Sequence, residues 1–250
     1  MSLKIRNIQL GKDKPKVIVP IVGANKNEII DEIKAIKLNN IDMVEFRADF
    51  FEEVLNLEEL EKILFYIRKE FKDMPIIFTF RNKNEGGQKH ISTSEYKDIC
   101  EFVCKTKLID IIDVEFLIDK IVVDEIIEYA HKNNVYVIIS NHNFYKTPNK
   151  GELVNIFMNM DKTQADIVKI AVMPNSKLDI IELLSATVTV KDIINKPVIS
   201  ISMGELGAIS RISGEVFGSC ATFASIKKSS APGQMNINDI NTILEIINKI

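Results

Sequence analysis

Asp166-Ile167-Val168-Lys169-Ile170-Ala171-Val172 is an apolar run, rich in β-branched residues, with one lysine in its middle; Met173-Pro174 follows at once. A short continuous apolar run ended by a turn signal reads as a strand buried on both faces, the kind that parallel sheets place beneath helices. The lysine then needs a reason. A charged ammonium inside a protein is costly unless it is paired or has shed its proton, because burial disfavours the charged form. Two readings follow. Lys169 is a structural lysine ion-paired within the fold, or it is an amine desolvated for attack on a carbonyl, giving a Schiff base.

Outward from this run, strand patterns recur at Val17–Gly23, Met43–Asp49, Pro75–Arg81, Ile111–Phe116, Val135–His142, Pro197–Met203 and Val216–Phe223. Amphipathic helical patterns separate them: Asn27–Leu38, Leu57–Phe71, Ser94–Thr106, Val122–Asn133, Lys150–Met160, Leu178–Val190, a shorter Gly204–Arg211, and Asn238–Lys249 at the end. Asn56 before Leu57 and Ser94 before Glu95 read as helix caps. Eight strand–helix pairs without a linker rich in Pro, Gly or Ser predict one α/β domain over residues 1–250, a (β/α)8 TIM barrel. The alternative, an open doubly wound sheet, lacks a glycine fingerprint after its first strand, where Gly23 stands alone. Lys4–Leu10, with Gly11-Lys12-Asp13, predicts a short N-terminal β-hairpin capping the bottom of the barrel.

Composition sets the outer bounds. The 250 residues are 46% hydrophobic and 27% charged, with a formal net charge of −3, which suits a single barrel and gives no support for a nucleic-acid or anionic-membrane partner. No apolar run reaches the roughly 18 residues of a membrane span. Three cysteines, an odd number, with no signal-peptide pattern predict a reduced, cytoplasmic chain. Cys100 and Cys104, one helical turn apart, read as core packing rather than metal ligands, since no histidine pair follows at ligand spacing.

Strand residues alternate faces, so parity groups the side chains that point together. Glu45, Arg47 and Asp49 share one face of their strand, as do Thr79 with Arg81, Asp113 with Glu115, Ser140 with His142, and Ser200 with Ser202. Faces packed on helices must be apolar, so these polar sets are expected inside the barrel near its C-terminal end. Barrel interiors are ordinarily apolar, and buried charge pairs contribute little to stability. Charge at several strands, at the end where barrel enzymes carry their chemistry, therefore favours an active site over a structural network. Lys169 joins this surface, and the fifth strand beside it ends in His142, a general-base candidate. His90, in a polar loop, and His131, near a helix end, have weaker claims.

Two loops add groups for a small anion. Arg81 leads into Asn82-Lys83-Asn84-Glu85-Gly86-Gly87, and Arg211 precedes the last strand, after which Lys227–Gln234 forms a small-residue loop able to close over the mouth. A guanidinium grips a carboxylate in a two-pronged fork, so Arg81 and Arg211 read as carboxylate anchors.

Taken together, Glu45-Phe46-Arg47-Ala48-Asp49, Phe78-Thr79-Phe80-Arg81 with Glu85-Gly86-Gly87, Ser140-Asn141-His142-Asn143-Phe144 with Thr147-Pro148, Lys169-Ile170-Ala171, Arg211 leading to Gly214-Glu215-Val216-Phe217-Gly218, and Ser230-Ala231-Pro232-Gly233-Gln234 form an ordered set spanning nearly the whole chain. In this set the chain resembles the type I 3-dehydroquinate dehydratase family, the Schiff-base enzymes of the shikimate pathway. The resemblance implies that Lys169 forms an imine with 3-dehydroquinate, that His142 is the general acid and base, and that Glu85 orients it. It also implies that Arg211 holds the substrate carboxylate with Ser230 and Gln234, and that Glu45, Arg47 and Arg81 bind ring hydroxyls and set the charge. No metal or organic cofactor is implied, because the lysine supplies the electrophile; a homodimer is. Asn143 departs from the aspartate that many members carry after the histidine, with an expected effect on the His142 pKa. The rival reading is another Schiff-base barrel, a class I aldolase, which would share Lys169 but require a phosphate cradle.

Overall fold

The computed structural model describes residues 2–226 and 228–249. The chain opens with an antiparallel hairpin, β1 (Leu3–Ile5) and β2 (Ile8–Leu10). Its turn lies at Arg6-Asn7, with Arg6 at φ 49°. Ile5, Ile8 and Leu10 face inward from it.

Eight parallel strands follow: β3 (Lys16–Ile21), β4 (Met43–Arg47), β5 (Ile76–Thr79), β6 (Ile111–Glu115), β7 (Tyr136–Asn143), β8 (Ile167–Val172), β9 (Val198–Ser202) and β10 (Ala221–Ser225). They pair in the order β10-β3-β4-β5-β6-β7-β8-β9. The ring closes where β9 meets the start of β10, through a Val198–Ser219 bridge and the Cys220 N–H donating to the Val198 carbonyl at 2.7 Å. The result is the (β/α)8 barrel that the strand–helix alternation predicts.

The helices α1 (Lys26–Ile36), α2 (Leu57–Glu70), α3 (Thr93–Thr106), α4 (Lys120–Lys132), α5 (Lys150–Asp161), α6 (Lys177–Lys191), α7 (Ala208–Ile212), α8 (Gly214–Phe217) and α9 (Ile237–Ile247) surround the ring. Their buried stripes follow helical spacing, as Ile29, Ile33 and Ile36 do on α1. Helix α3 starts one turn-residue earlier than expected: Ser92, not Ser94, is its cap, closing a capping box with Glu95. Such a cap contributes about 1 kcal/mol. Cys100 and Cys104 of α3 are buried free thiols in the core, as read from the sequence.

Two apolar cores result. The larger lies between strands and helices and includes Val44, Phe46, Phe78, Val114, Val168 and Ile170. The smaller lies inside the barrel, where Ile18, Met43, Ile77, Ile111, Ile138, Ile167 and Ile199 form a layer at the N-terminal ends of the strands, sealed from below by Ile5, Ile8 and Leu10. The hairpin is thus a plug for the bottom of the barrel.

Two expectations fail here. The strand predicted at Val216–Phe223 begins only at Ala221, because Val216 and Phe217 belong to the helical turn α8, ended by Gly218 at φ 98°. Ser200 and Ser202 do not face the interior; Ile199, Ile201 and Met203 do. Ser200 Oγ accepts a hydrogen bond from Thr187 of α6 at 2.8 Å, and Ser210 of α7 accepts one from the Ser202 amide at 2.9 Å. The helix hydroxyls Thr187 and Ser210 let this strand face pack outward, Thr187 on the Ser200 side chain and Ser210 on the Ser202 backbone. The small Ser202 hydroxyl is buried without a partner among the described residues; parity alone does not foresee this.

Candidate active site

Two residues above the isoleucine layer, alternation brings the next inward side chains together: Glu45, Thr79, Asp113, Ser140 and Lys169. Two residues higher come Arg47, Arg81, Glu115 and His142. All nine of these side chains are 10% exposed or less. Ion pairing explains how such a layer can exist, since each buried charge finds an opposite one.

Asp113 is the hub. One of its oxygens accepts from Arg81 at 2.7 Å and from Ser140 Oγ at 2.5 Å; the other accepts from Lys169 Nζ at 3.1 Å. These donors hold its carboxyl well below the usual carboxylate range despite complete burial, Arg81 being the largest favourable influence. Glu45 Oε1 lies 3.8 Å from Lys169 Nζ and accepts from Thr79 at 2.8 Å, while the Phe223 ring lies beneath the same ammonium, 4.6 Å from nitrogen to centroid. Lys169 is therefore ion-paired at rest and still lines an open pocket.

His142 is fixed by Glu85, whose Oε2 accepts both the His142 backbone N–H, at 3.1 Å, and the contact from Nδ1, at 2.9 Å. Glu85 reaches this position from the short 3-10 turn Lys83–Glu85, which ends at Gly86 with φ 84°. A Cβ on Gly86 would also collide with the Phe144 ring at 2.3 Å, so glycine is demanded twice. Burial pushes Glu85 up to about 8 and pushes His142 well below its ordinary value, with Arg81 adding to the latter. Both effects favour neutral imidazole. Nε2, on the ring edge opposite the Glu85 contact, is left for the pocket that His142 lines. Asn143 turns away: its Oδ1 accepts from the amides of Tyr145 and Lys146 at 3.0 Å each, a task aspartate performs equally well.

The two expected carboxylate anchors part company. Arg81 donates to Asp113, Glu115 and Ser140 and lies 3.5 Å from Glu85, so protein acceptors occupy its fork. Arg211 is 1% exposed, donates to the carbonyls of Pro232 at 2.9 Å and Phe223 at 3.5 Å, and has no carboxylate partner among the described residues. Its buried Nε has no hydrogen-bond partner among them either, and burial alone pushes the guanidinium down to about 10. Arg47 is gripped in a two-pronged pair by Asp49, at 2.9 Å on both arms, and reaches over to the Ser230 carbonyl at 3.1 Å.

The loop after β10 covers the mouth. Gln234 and Ser230 brace each other through two 2.9 Å hydrogen bonds, and both line the pocket with Ala231. Lys227, which the sequence places in this loop, lies outside the described residues. Every residue proposed from sequence (Glu45, Arg47, Arg81, Glu85, His142, Lys169, Arg211, Ser230 and Gln234) borders one cavity of about 480 Å³, its mouth included. Phe144, Met203 and Phe223, which the sequence reading passed over, line it too. Met203 was missed because parity placed Ser200 and Ser202 inside and so turned Met203 outward; Phe223 was hidden by the misplaced start of β10. Among the described residues no group of three or more His, Cys, Asp and Glu could hold a metal ion, and no helix is long and apolar enough to cross a membrane.

Comparison with known proteins converges on one family. The type I 3-dehydroquinase family model matches residues 17–250. A 3-dehydroquinate dehydratase of Clostridium botulinum is 45% identical over 248 residues, covering 99% of this chain and 98% of its own length. The crystal structure of a type I 3-dehydroquinate dehydratase from Clostridium difficile, carrying covalently modified comenic acid, superposes with a TM-score of 0.96 at 42% identity, covering 99% of this chain and 98% of its own. A 3-dehydroquinate dehydratase from Geobacillus kaustophilus gives 0.97 at 34% identity, covering 100% and 97%. The chain belongs to the type I 3-dehydroquinase family.

Proposed function

We propose that this enzyme, a 3-dehydroquinate dehydratase by its relatives, converts 3-dehydroquinate to 3-dehydroshikimate through an imine on Lys169, as a step of the shikimate pathway. The observation that carries the reading is the pairing of a pocket-lining amine, Lys169, with a histidine anchored by Glu85 on the neighbouring strand, in one cavity with a guanidinium that lacks a carboxylate partner among the described residues.

The substrate carboxylate completes the fork of Arg211 and so orients the ring. The Lys169 amine attacks the C3 ketone; the carbinolamine takes a proton on its hydroxyl, loses water and leaves a protonated imine. That cation withdraws electrons from C2 and acidifies its proton, which Nε2 of His142 removes, giving a neutral enamine. His142, now an imidazolium stabilised by Glu85, returns the proton to the C1 hydroxyl, which departs as water while the enamine electrons form the ring double bond. Hydrolysis of the imine then restores Lys169 and releases product. Glu45, Arg47 and Arg81 set the charge of the cavity and contact ring hydroxyls, and Ser230 and Gln234 close over the carboxylate side.

No metal or organic cofactor enters these steps. The cytoplasm and a homodimeric assembly complete the reading; sedimentation of the purified chain checks the latter. The test of the chemistry is borohydride reduction during turnover with 3-dehydroquinate, followed by mass mapping. The reduced substrate adduct is expected on Lys169, and turnover without that adduct sinks the mechanism.

A further inference from the structure

Between the resting enzyme and the covalent intermediate, the charge at one nitrogen does not change. Written in balance, an ammonium and a ketone give a protonated imine and one water, so Lys169 Nζ carries a single positive charge before and after the bond forms. The groups that surround it at rest are Asp113 at 3.1 Å, Glu45 at 3.8 Å and the face of Phe223 at 4.6 Å. We propose that Asp113 is the counterion of the imine cation, with the face of the pocket-lining Phe223 ring completing the cradle. The inference rests on the Schiff-base reading above and assigns roles to two residues outside the acid–base pair.

The argument is one of preorganisation. Dipoles and charges already aimed at the place where charge resides during reaction need no rearrangement when the reaction occurs. Asp113 is buried and held by Arg81 and Ser140 as well as by Lys169. That matters at the next step, when loss of the C2 proton makes the nitrogen neutral. An aspartate paired with Lys169 alone would then be left uncompensated and would resist the change; Arg81, 2.7 Å away, remains to balance it. The cation–π contact grades the same way, attractive to ammonium and imine cation and slack toward the neutral enamine.

The experiment is rapid quench with borohydride under saturating 3-dehydroquinate, scoring by mass spectrometry the fraction of enzyme reduced as a Lys169 adduct, together with product affinity by calorimetry. For Asp113→Asn, the trapped fraction and kcat are both expected to fall about 10- to 100-fold, the scale of losing one preorganised charged partner, with product affinity held. Phe223→Leu keeps an apolar side chain at the site while removing the ring, and leaves Arg81 and Asp113 in place, so it serves even if Asp113→Asn does not fold; a fall of about 3- to 10-fold in the trapped fraction is expected. Wild-type levels of adduct and kcat in a folded Asp113→Asn, or in Phe223→Leu, overturn the assignment of that residue. If wild-type enzyme itself turns over without a Lys169 adduct, the Schiff-base reading fails and not merely this one.

Discussion

The two halves of the barrel interior are built from the same strands by the same alternation, yet they hold opposite kinds of matter. Below, Ile77, Ile111, Ile138 and Ile167 pack as a dry layer; two residues further along each strand stand Thr79, Asp113, Ser140 and Lys169. The lower half secures the fold through burial of apolar area, and the upper half contributes little net stability for its ion pairs, because desolvation offsets their attraction. Stability and chemistry are therefore stacked along one axis, and substitutions should separate them by height.

The largest effect is expected at Lys169. Lys169→Ala should lower kcat by at least about 10³-fold, as loss of a covalent nucleophile does, while Asp113 keeps Arg81 and the fold survives; wild-type-like turnover in a steady-state assay would break the division. Next comes Arg211→Ala, for which kcat/KM should drop about 10²-fold, the cost of unpairing a buried charge contact. Arg211→Lys should recover only part of that, since the fork is lost. An unchanged KM in both variants would place the substrate carboxylate elsewhere.

The Glu85–His142 pair supplies the pH dependence. Below the upper pKa of the pair, the extra proton either sits on Glu85, which then donates to Nδ1 and leaves Nε2 protonated, or makes imidazolium; both forms cap Nε2. Loss of that proton leaves carboxylate accepting from Nδ1–H and a bare Nε2. With Glu85 pushed up to about 8, kcat/KM should rise with pH through that region and level off above it. In Glu85→Gln no carboxyl proton is lost, so the limb should move to lower pH, toward the depressed value of His142, with a plateau lowered about tenfold. A limb that stays in place in this variant assigns it to another group. Smallest in turnover is Ile77→Ala, from the dry layer: about 2–5 kcal/mol of stability should go, with kcat intact wherever the fold is, as thermal melts and assays below the transition would show.

The upper half was the more legible from sequence. Charged residues at every second position of Glu45–Asp49, Thr79–Arg81 and Asp113–Glu115 cannot all face packed helices, so parity alone placed them inside. It failed at Ser200 and Ser202, because a hydroxyl group is small enough to pack outward against a helix. Ser200 meets Thr187 there, and Ser210 bonds the Ser202 amide while the Ser202 hydroxyl itself has no partner among the described residues; a strand pattern reveals none of this. The two arginines looked alike in sequence. Only the packing distinguishes Arg81, whose fork is filled by Asp113 and Glu115, from Arg211, which meets carbonyls alone. Phe223 was obscured by Val216 and Phe217, apolar enough to pass for strand yet wound into α8.

The hairpin at the bottom turns a tube into a cup. With Ile5, Ile8 and Leu10 stoppering one end, the rim beneath Ser230–Gln234 is the doorway that the described residues leave to the pocket. Substrate, product and the water that a dehydration releases must all use that doorway in turn. Product and water must therefore clear the rim before the next substrate can enter, so one opening serves both arrival and departure in every cycle.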